Sequence, residues 1–169
     1  MTVSLQLGQN PPELAVCWYL GHMLATEQYL PAFLKRYLHQ EIDVKDVEII
    51  REKIYTGKRI DLCLYITDVN NHKFGLVIEA KIHWPDDDQL QSSVERFREA
   101  HSDYKEVFGL HALFTLKKEQ HDALDHHEWK FKIVTIRDLL KSFCENGIET
   151  GHSIHWASDL HDLLNYQNR

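Results

Sequence analysis

The sequence predicts an α/β fold in which a mixed central β-sheet is flanked by helices, with a core order of helix, three strands, helix and strand (αβββαβ). Three segments with strand character follow one another across residues 44–82, and the short turns between them leave no room for a helix. The third segment is apolar over residues 74–78 apart from one glycine, which is typical of a central strand covered on both faces. A helical segment and a further apolar strand follow, and this crossover implies a mixed sheet with helices on its faces.

The segment before the first strand is predicted to be helical. Pro11 and Pro12 mark a plausible helix start, because proline is tolerated in the first turn. Apolar residues then recur at helical spacing over residues 14–30. We expect Pro31 to break or redirect this helix, and a second helical segment to occupy residues 32–40.

Three strands joined by tight turns are predicted next. The first alternates between apolar and polar residues over 44–55 and ends at a hairpin signal, Thr56-Gly57-Lys58. The second is predicted at residues 59–67 and the third at 73–82, with a turn at 68–72 that contains two consecutive asparagines.

The aspartates 86–88 offer an N-cap and first-turn acids for the following helix, whose apolar residues recur on one face through Phe97. The later elements are also predicted from apolar periodicity. They are a strand at 107–116, a helix at 117–125, a strand at 129–136, a helix at 137–144 and an apolar helical stripe at 154–164.

The size and charge of the chain limit its class. Its 169 residues show no repeat or linker, so residues 1–169 are predicted to be a single domain. The formal net charge of −7 argues mildly against a dedicated nucleic-acid binder, since phosphate contacts dominate such affinity. Bound divalent cations or a local basic face can offset that balance.

The expected compartment is the cytoplasm, without membrane association. No apolar run approaches transmembrane length, and the first ten residues lack a basic and apolar leader pattern. Cys17, Cys63 and Cys144 are odd in number and widely spaced among apolar residues, which favours reduced thiols over a disulfide framework.

Three charged residues interrupt the apolar strands. Asp61 opens the second predicted strand, and Glu79 and Lys81 end the third. Burying charge is costly unless the charge is paired or binds a metal. Two carboxylates and an ammonium on adjacent strands suit metal-assisted phosphodiester chemistry.

The sequence motifs around these residues resemble those of the PD-(D/E)xK nuclease superfamily, which has the restriction-endonuclease-like fold. The resemblance is carried by Gly57-Lys58-Arg59-Ile60-Asp61-Leu62, by Val77-Ile78-Glu79-Ala80-Lys81-Ile82 and by Asp88-Gln89-Leu90. These segments are similar to the Gly-Arg-Ile-Asp, Ile-Glu-x-Lys and Gln-Leu motifs of one bacterial branch of the superfamily. The similarity covers a core of about residues 44–116, and Ile60 stands where the name-giving proline would precede the acid.

The resemblance implies a role for each site residue. Asp61 and Glu79, with the backbone carbonyl of Ala80, would bind Mg²⁺ or Mn²⁺. Lys81 would hold the attacking water or the phosphate oxygens. Gln89, at the start of the next helix, would orient Lys81 or the water.

Two further acids are candidates for the metal site. Glu13 lies in the N-terminal helical region, where some members of the superfamily place an additional metal-site glutamate. Glu52 lies late on the first strand and would reach the cleft if it faced inward. The alternative for both is an ordinary solvated acid.

Other interpretations of these patterns remain open. The cluster of Asp61, Glu79 and Lys81 could be a surface ion pair, although the apolar run before Glu79 favours a functional site. The chain also has 12 histidines, which raises the alternative of a zinc protein. The spacing of His121, His126 and His127 does not put three ligands on one helical face, and no cysteine pair accompanies the histidines, so scattered histidines are favoured.

The sequence therefore predicts a Mg²⁺- or Mn²⁺-dependent nuclease that hydrolyses phosphodiester bonds in DNA. The expected partner is nucleic acid, DNA before RNA, with a homodimer or a larger complex as the assembly. The alternative is a catalytically weak or silent nuclease-fold module used for binding or regulation in a defence or phage-related complex.

Overall fold

A computed structural model gives the fold of this chain. It describes residues 17, 20–26, 29–82, 84–113, 124, 127–135, 138–139, 141–143 and 145. Glu13, the predicted helix start at 11–12 and the stripe at 154–164 lie outside the described residues, as does most of the predicted helix at 117–125.

The described strands form one mixed five-stranded sheet, and helices flank it. Their bounds are β1 Val44–Tyr55, β2 Lys58–Asp68, β3 Lys73–Lys81, β4 Glu106–Leu113 and β5 Lys132–Thr135, with α1 at Tyr29–Leu38 and α2 at Asp87–Ala100. The strands lie in chain order, β1-β2-β3-β4-β5. β1, β2 and β3 pair antiparallel, whereas β3 with β4 and β4 with β5 pair parallel. The predicted mixed sheet and its αβββαβ order are confirmed.

The sheet has a hydrophobic cluster on each face. Leu62 and Leu64 of β2 belong to the cluster that contains Phe33 of α1. Cys63, between them, belongs to the opposite cluster with Phe97 of α2. β3 is buried on both faces, from Phe74 through Ala80, as its continuous apolar run predicts.

Helix α1 differs from the prediction at both ends. It begins at Tyr29 and runs through Pro31, so the expected break at Pro31 is wrong. The N–H groups of a first turn have no intrahelical partner, so a proline there removes no helical hydrogen bond. The helix ends at Leu38, before His39, whose φ of 55° is left-handed.

The β1–β2 hairpin closes with two residues, Thr56 and Gly57, whose φ angles are 45° and 79°. Positive φ at both central positions is the mark of the turn that matches strand twist, so the predicted hairpin is confirmed.

The same hairpin is interrupted at Glu52 and Asp61. The paired residues continue on both sides of these two positions but do not include them. Glu52 has a φ of 53°, which is uncommon for a residue other than glycine inside a strand. Beyond this point the turn meets α2, where Arg96 Nη1 donates to the Thr56 carbonyl at 3.3 Å.

Helix α2 starts as its aspartates predict. Asp86 is the N-cap, and its Oδ1 accepts a hydrogen bond from the backbone N–H of Gln89 at 2.9 Å. This cap fixes Gln89 in the first turn of the helix. In the described part of the chain, no helix has the length and apolar character needed to cross a membrane.

We predict that Gly75→Ala destabilises the protein by about 1–3 kcal/mol, because a Cβ there would lie 2.4 Å from Phe97 Cε1 and overpack the α2 face. Gly21→Ala is the matched control. Its Cβ would lie 3.8 Å from the nearest side-chain atom, on a helical residue, so we expect no loss or a gain of about 0.5–1 kcal/mol. Urea unfolding of both variants tests this, and equal stabilities would contradict it.

Candidate active site

The candidate site lies where β2 parts from β3. Pairing between these strands ends at Leu62 and Ile78, while β3 continues to pair with β4 as far as Lys81. Asp61 takes over where the ladder stops, because its Oδ2 accepts a hydrogen bond from the Ala80 backbone N–H at 2.9 Å. A carboxylate has thus replaced the neighbouring strand at this point.

The carbonyl of Ala80 shares this flank of β3. The N–H and C=O of one strand residue point to the same side, and the Ala80 N–H points to Asp61. The Ala80 side chain is buried on the α1 face, as its position between Glu79 and Lys81 predicts. A small apolar side chain is sufficient there, since only the backbone of this residue faces the site.

Glu79 is a buried acid, with 1% of its surface exposed. Its Oε1 accepts a hydrogen bond from Ser93 Oγ at 2.7 Å, and its Oε2 accepts one from Gln89 Nε2 at 3.1 Å. Both donors belong to α2. Each carboxyl oxygen therefore has a hydrogen-bond partner on the helix that covers it.

Burial, and after it the negative charge of Asp61, raise the pKa of the Glu79 carboxyl to about 7. The hydrogen bond from Ser93 and the positive charge of Lys81 act in the opposite direction but are smaller. Two acids this close cannot both ionise without cost unless a cation joins them.

Lys81 is connected to Glu79 through the Gln89 amide. Lys81 Nζ donates to Gln89 Oε1 at 2.7 Å, while Gln89 Nε2 donates to Glu79. One orientation of the amide satisfies both neighbours, because a lysine can only donate and a carboxylate can only accept. The structure thus brings together Asp61, Glu79, Lys81 and Gln89, with the backbone of Ala80 beside Asp61.

The donor atoms fit a hard divalent cation. Two carboxylates and a carbonyl are the oxygen ligands that Mg²⁺ and Mn²⁺ prefer. A cation there would also offset the repulsion that raises the pKa of Glu79. Within the described residues, no group of three or more His, Cys, Asp or Glu side chains is arranged to hold a metal ion.

Glu52 does not join that pair among the described residues. Its side chain is exposed and its Oε1 lies 3.1 Å from Arg59 Nη1. Glu13, the other acid proposed as a ligand, lies outside the described residues, as do six of the 12 histidines that raise the zinc alternative.

A hydrogen-bonded chain beside the site was missed by the sequence reasoning. His111 of β4 lies opposite Glu79 in the parallel register and is fully buried. Its Nε2 lies 2.9 Å from Asp87 Oδ1, and Asp87 Oδ2 accepts the Lys130 backbone N–H at 2.7 Å. Burial lowers the pKa of His111, which favours the neutral ring. The sequence does carry a signal for His111, because it is a polar residue within the apolar run of the fourth strand.

No protein-family model matches the sequence, and no curated protein matches it. Among solved structures, a repair endonuclease from Pyrococcus abyssi is 17% identical over 64% of this chain and 46% of its own, with a TM-score of 0.34. The EndoMS–dsDNA complex is 19% identical over 65% and 45%, with a TM-score of 0.32. The MspJI restriction endonuclease in complex with a 27-mer oligonucleotide is 15% identical over 97% and 38%, with a TM-score of 0.35. These likenesses are remote, and the chain spans less than half the length of each.

We predict that Glu79→Gln stabilises the metal-free protein at pH 8 by about 1–3 kcal/mol and has little effect at pH 5. In the folded state the Glu79 carboxyl binds its proton more tightly than an ordinary glutamate does, whose pKa is 4.5. Its contribution to stability is therefore complete below about pH 4.5, declines as the pH rises towards about 7, and is lost above. Glutamine carries no such charge.

Urea unfolding in EDTA at both pH values measures the difference. Glu52→Gln is the control, because removing an exposed acid changes stability by less than about 0.5 kcal/mol. If the difference in unfolding free energy between Glu79→Gln and the wild type is the same at pH 5 and pH 8, Glu79 is not held as an unfavourable buried charge.

Proposed function

We propose that this protein is a divalent-metal-dependent nuclease of the PD-(D/E)xK superfamily that hydrolyses phosphodiester bonds in DNA. The observation that carries the proposal is the convergence of Asp61, Glu79 and Lys81 at the point where β2 leaves β3. The sequence motifs around Asp61, Glu79 and Gln89 support the same assignment. A cytoplasmic location and assembly as a homodimer or larger complex are part of the proposal.

In this proposal Asp61, Glu79 and the Ala80 carbonyl hold Mg²⁺ or Mn²⁺. The bound ion supplies Lewis-acid polarisation of the phosphate and lowers the pKa of a water. The hydrogen bond from the Ala80 N–H keeps Asp61 Oδ2 at the flank of β3. Ser93 holds the other acid by its Oε1, so the two carboxylates are oriented by the fold before any ligand arrives.

Lys81 is the residue that meets the reacting groups. Its ammonium has three donors and uses one of them on Gln89 Oε1, which leaves two for the attacking water or a phosphate oxygen. Gln89 positions this lysine without neutralising its positive charge, since an amide is uncharged. A glutamate at the same position would add a third carboxylate beside Glu79.

The second candidate is a catalytically weak or silent module used for binding or regulation in a defence or phage-related complex. The formal net charge of −7 favours it, because an acidic protein repels the phosphate backbone. Calorimetry with Mg²⁺ and Mn²⁺ discriminates. Folded protein that binds neither ion at millimolar concentration supports the silent module.

We predict that purified protein cleaves DNA in the presence of Mn²⁺ or Mg²⁺, and that Lys81→Ala lowers the rate constant by about 10²–10³-fold, as expected for loss of one charged donor to the transition state. Single-stranded, duplex and nicked DNA are all assayed. Lys45→Ala is the matched control, since Lys45 contacts Asn71 at the other end of the sheet. Cleavage that survives both Lys81→Ala and chelation by EDTA would refute the assignment.

A further inference from the structure

Two tryptophans lie beside the candidate site without a role in its chemistry. Trp84 follows the end of β3 and is 45% exposed, which makes it one of the large apolar side chains that the described chain leaves in solvent. Its ring packs against Trp129, with 5.5 Å between the centroids and an interplanar angle of 71°. In such an edge-to-face pair, one ring has faces that its partner does not cover.

Both tryptophans are tied to the elements that carry the site residues. Trp84 lies three residues after Lys81, so their Cα atoms are at most about 11 Å apart. Next to Trp129, the Lys130 backbone N–H donates to Asp87 in the first turn of α2. That turn also carries Gln89.

The pair is held in place on the Trp129 side. Trp129 Nε1 donates to the Leu124 carbonyl at 3.2 Å, and the centroids of the His127 and Trp129 rings are 4.6 Å apart. Lys130, the next residue along the chain, is exposed, and its Nζ lies 5.9 Å from the centre of the Phe131 ring. An exposed aromatic ring with a cationic residue next to it in the chain suits a ligand that is both flat and anionic.

We propose that Trp84 and Trp129 form a stacking platform for an unpaired base of the DNA strand whose backbone enters the candidate site. The proposal rests on the nuclease function and narrows its substrate to single-stranded or locally unpaired DNA. Bases of a perfect duplex are already stacked on one another and present only their edges in the grooves. An unpaired base offers a free face at this position.

The size of the patch argues for a base as its occupant. Two tryptophan side chains bury at most about 300–500 Å². A stable protein partner requires about 800 Å² on each side. A nucleobase needs only a ring face for stacking, and the exposed Trp84 offers one.

The test is equilibrium binding by fluorescence anisotropy in EDTA, so that no DNA is cleaved. The probes are a short labelled single strand of mixed sequence, the corresponding duplex, and that duplex with one unpaired base. We expect wild-type protein to prefer the first and third probes. Trp84→Ala and Trp84→Leu weaken binding to these two by about tenfold and leave the perfect duplex unchanged, whereas Trp84→Phe retains most of the affinity.

Val69→Ala is the matched control, because Val69 is 55% exposed in the turn after the far end of β2. Melting temperatures establish that each variant is folded. Trp84→Leu that binds all three probes as the wild type does, or that loses affinity equally for all three, overturns the platform.

The platform and the nuclease function can fail separately. Cleavage that depends on Lys81 with no dependence of binding on Trp84 refutes the platform and keeps the nuclease. Selective, Trp84-dependent binding without cleavage in Mn²⁺ refutes the nuclease and supports the platform.

Discussion

The local structure of the candidate site depends on a pair of acids held at the point where one strand leaves another. Asp61 takes the place of the missing strand by accepting the Ala80 N–H, and Glu79 is buried against it. Burial and the neighbouring charge raise the pKa of Glu79 to about 7. An arrangement that is unfavourable for two isolated carboxylates is favourable for two carboxylates and a cation, which is why the pair supports a metal site more strongly than an ion pair.

The rest of the site follows from this pair and the helix that covers it. The N-cap at Asp86 begins α2 so that Gln89 occupies its first turn, and one further turn places Ser93 over the same acid. The β1–β2 pairing is interrupted at Glu52 and Asp61, and the turn of that hairpin contacts α2 through Arg96. The strand separation at Asp61 and the cap of α2 together position the site.

The sequence predicts those features that are written in local patterns. Apolar runs predict the strands, three aspartates predict the start of α2, and the spacing of Glu79 and Lys81 predicts that both face the same side. The positive φ of Glu52 has no such signal, because glycine or asparagine would be the usual residue there. The contact of His111 with Asp87 joins residues from different elements and depends on the register of β4, which no local pattern fixes.

The central claim is that these acids are paired in order to receive a divalent cation. A crystal structure of the protein soaked in Mn²⁺, with anomalous diffraction recorded near the manganese edge, tests it most directly. The account predicts an anomalous peak in contact with Asp61, Glu79 and the Ala80 carbonyl. Well-ordered side chains without such a peak at saturating Mn²⁺, with the two carboxyl groups sharing a proton, would contradict it.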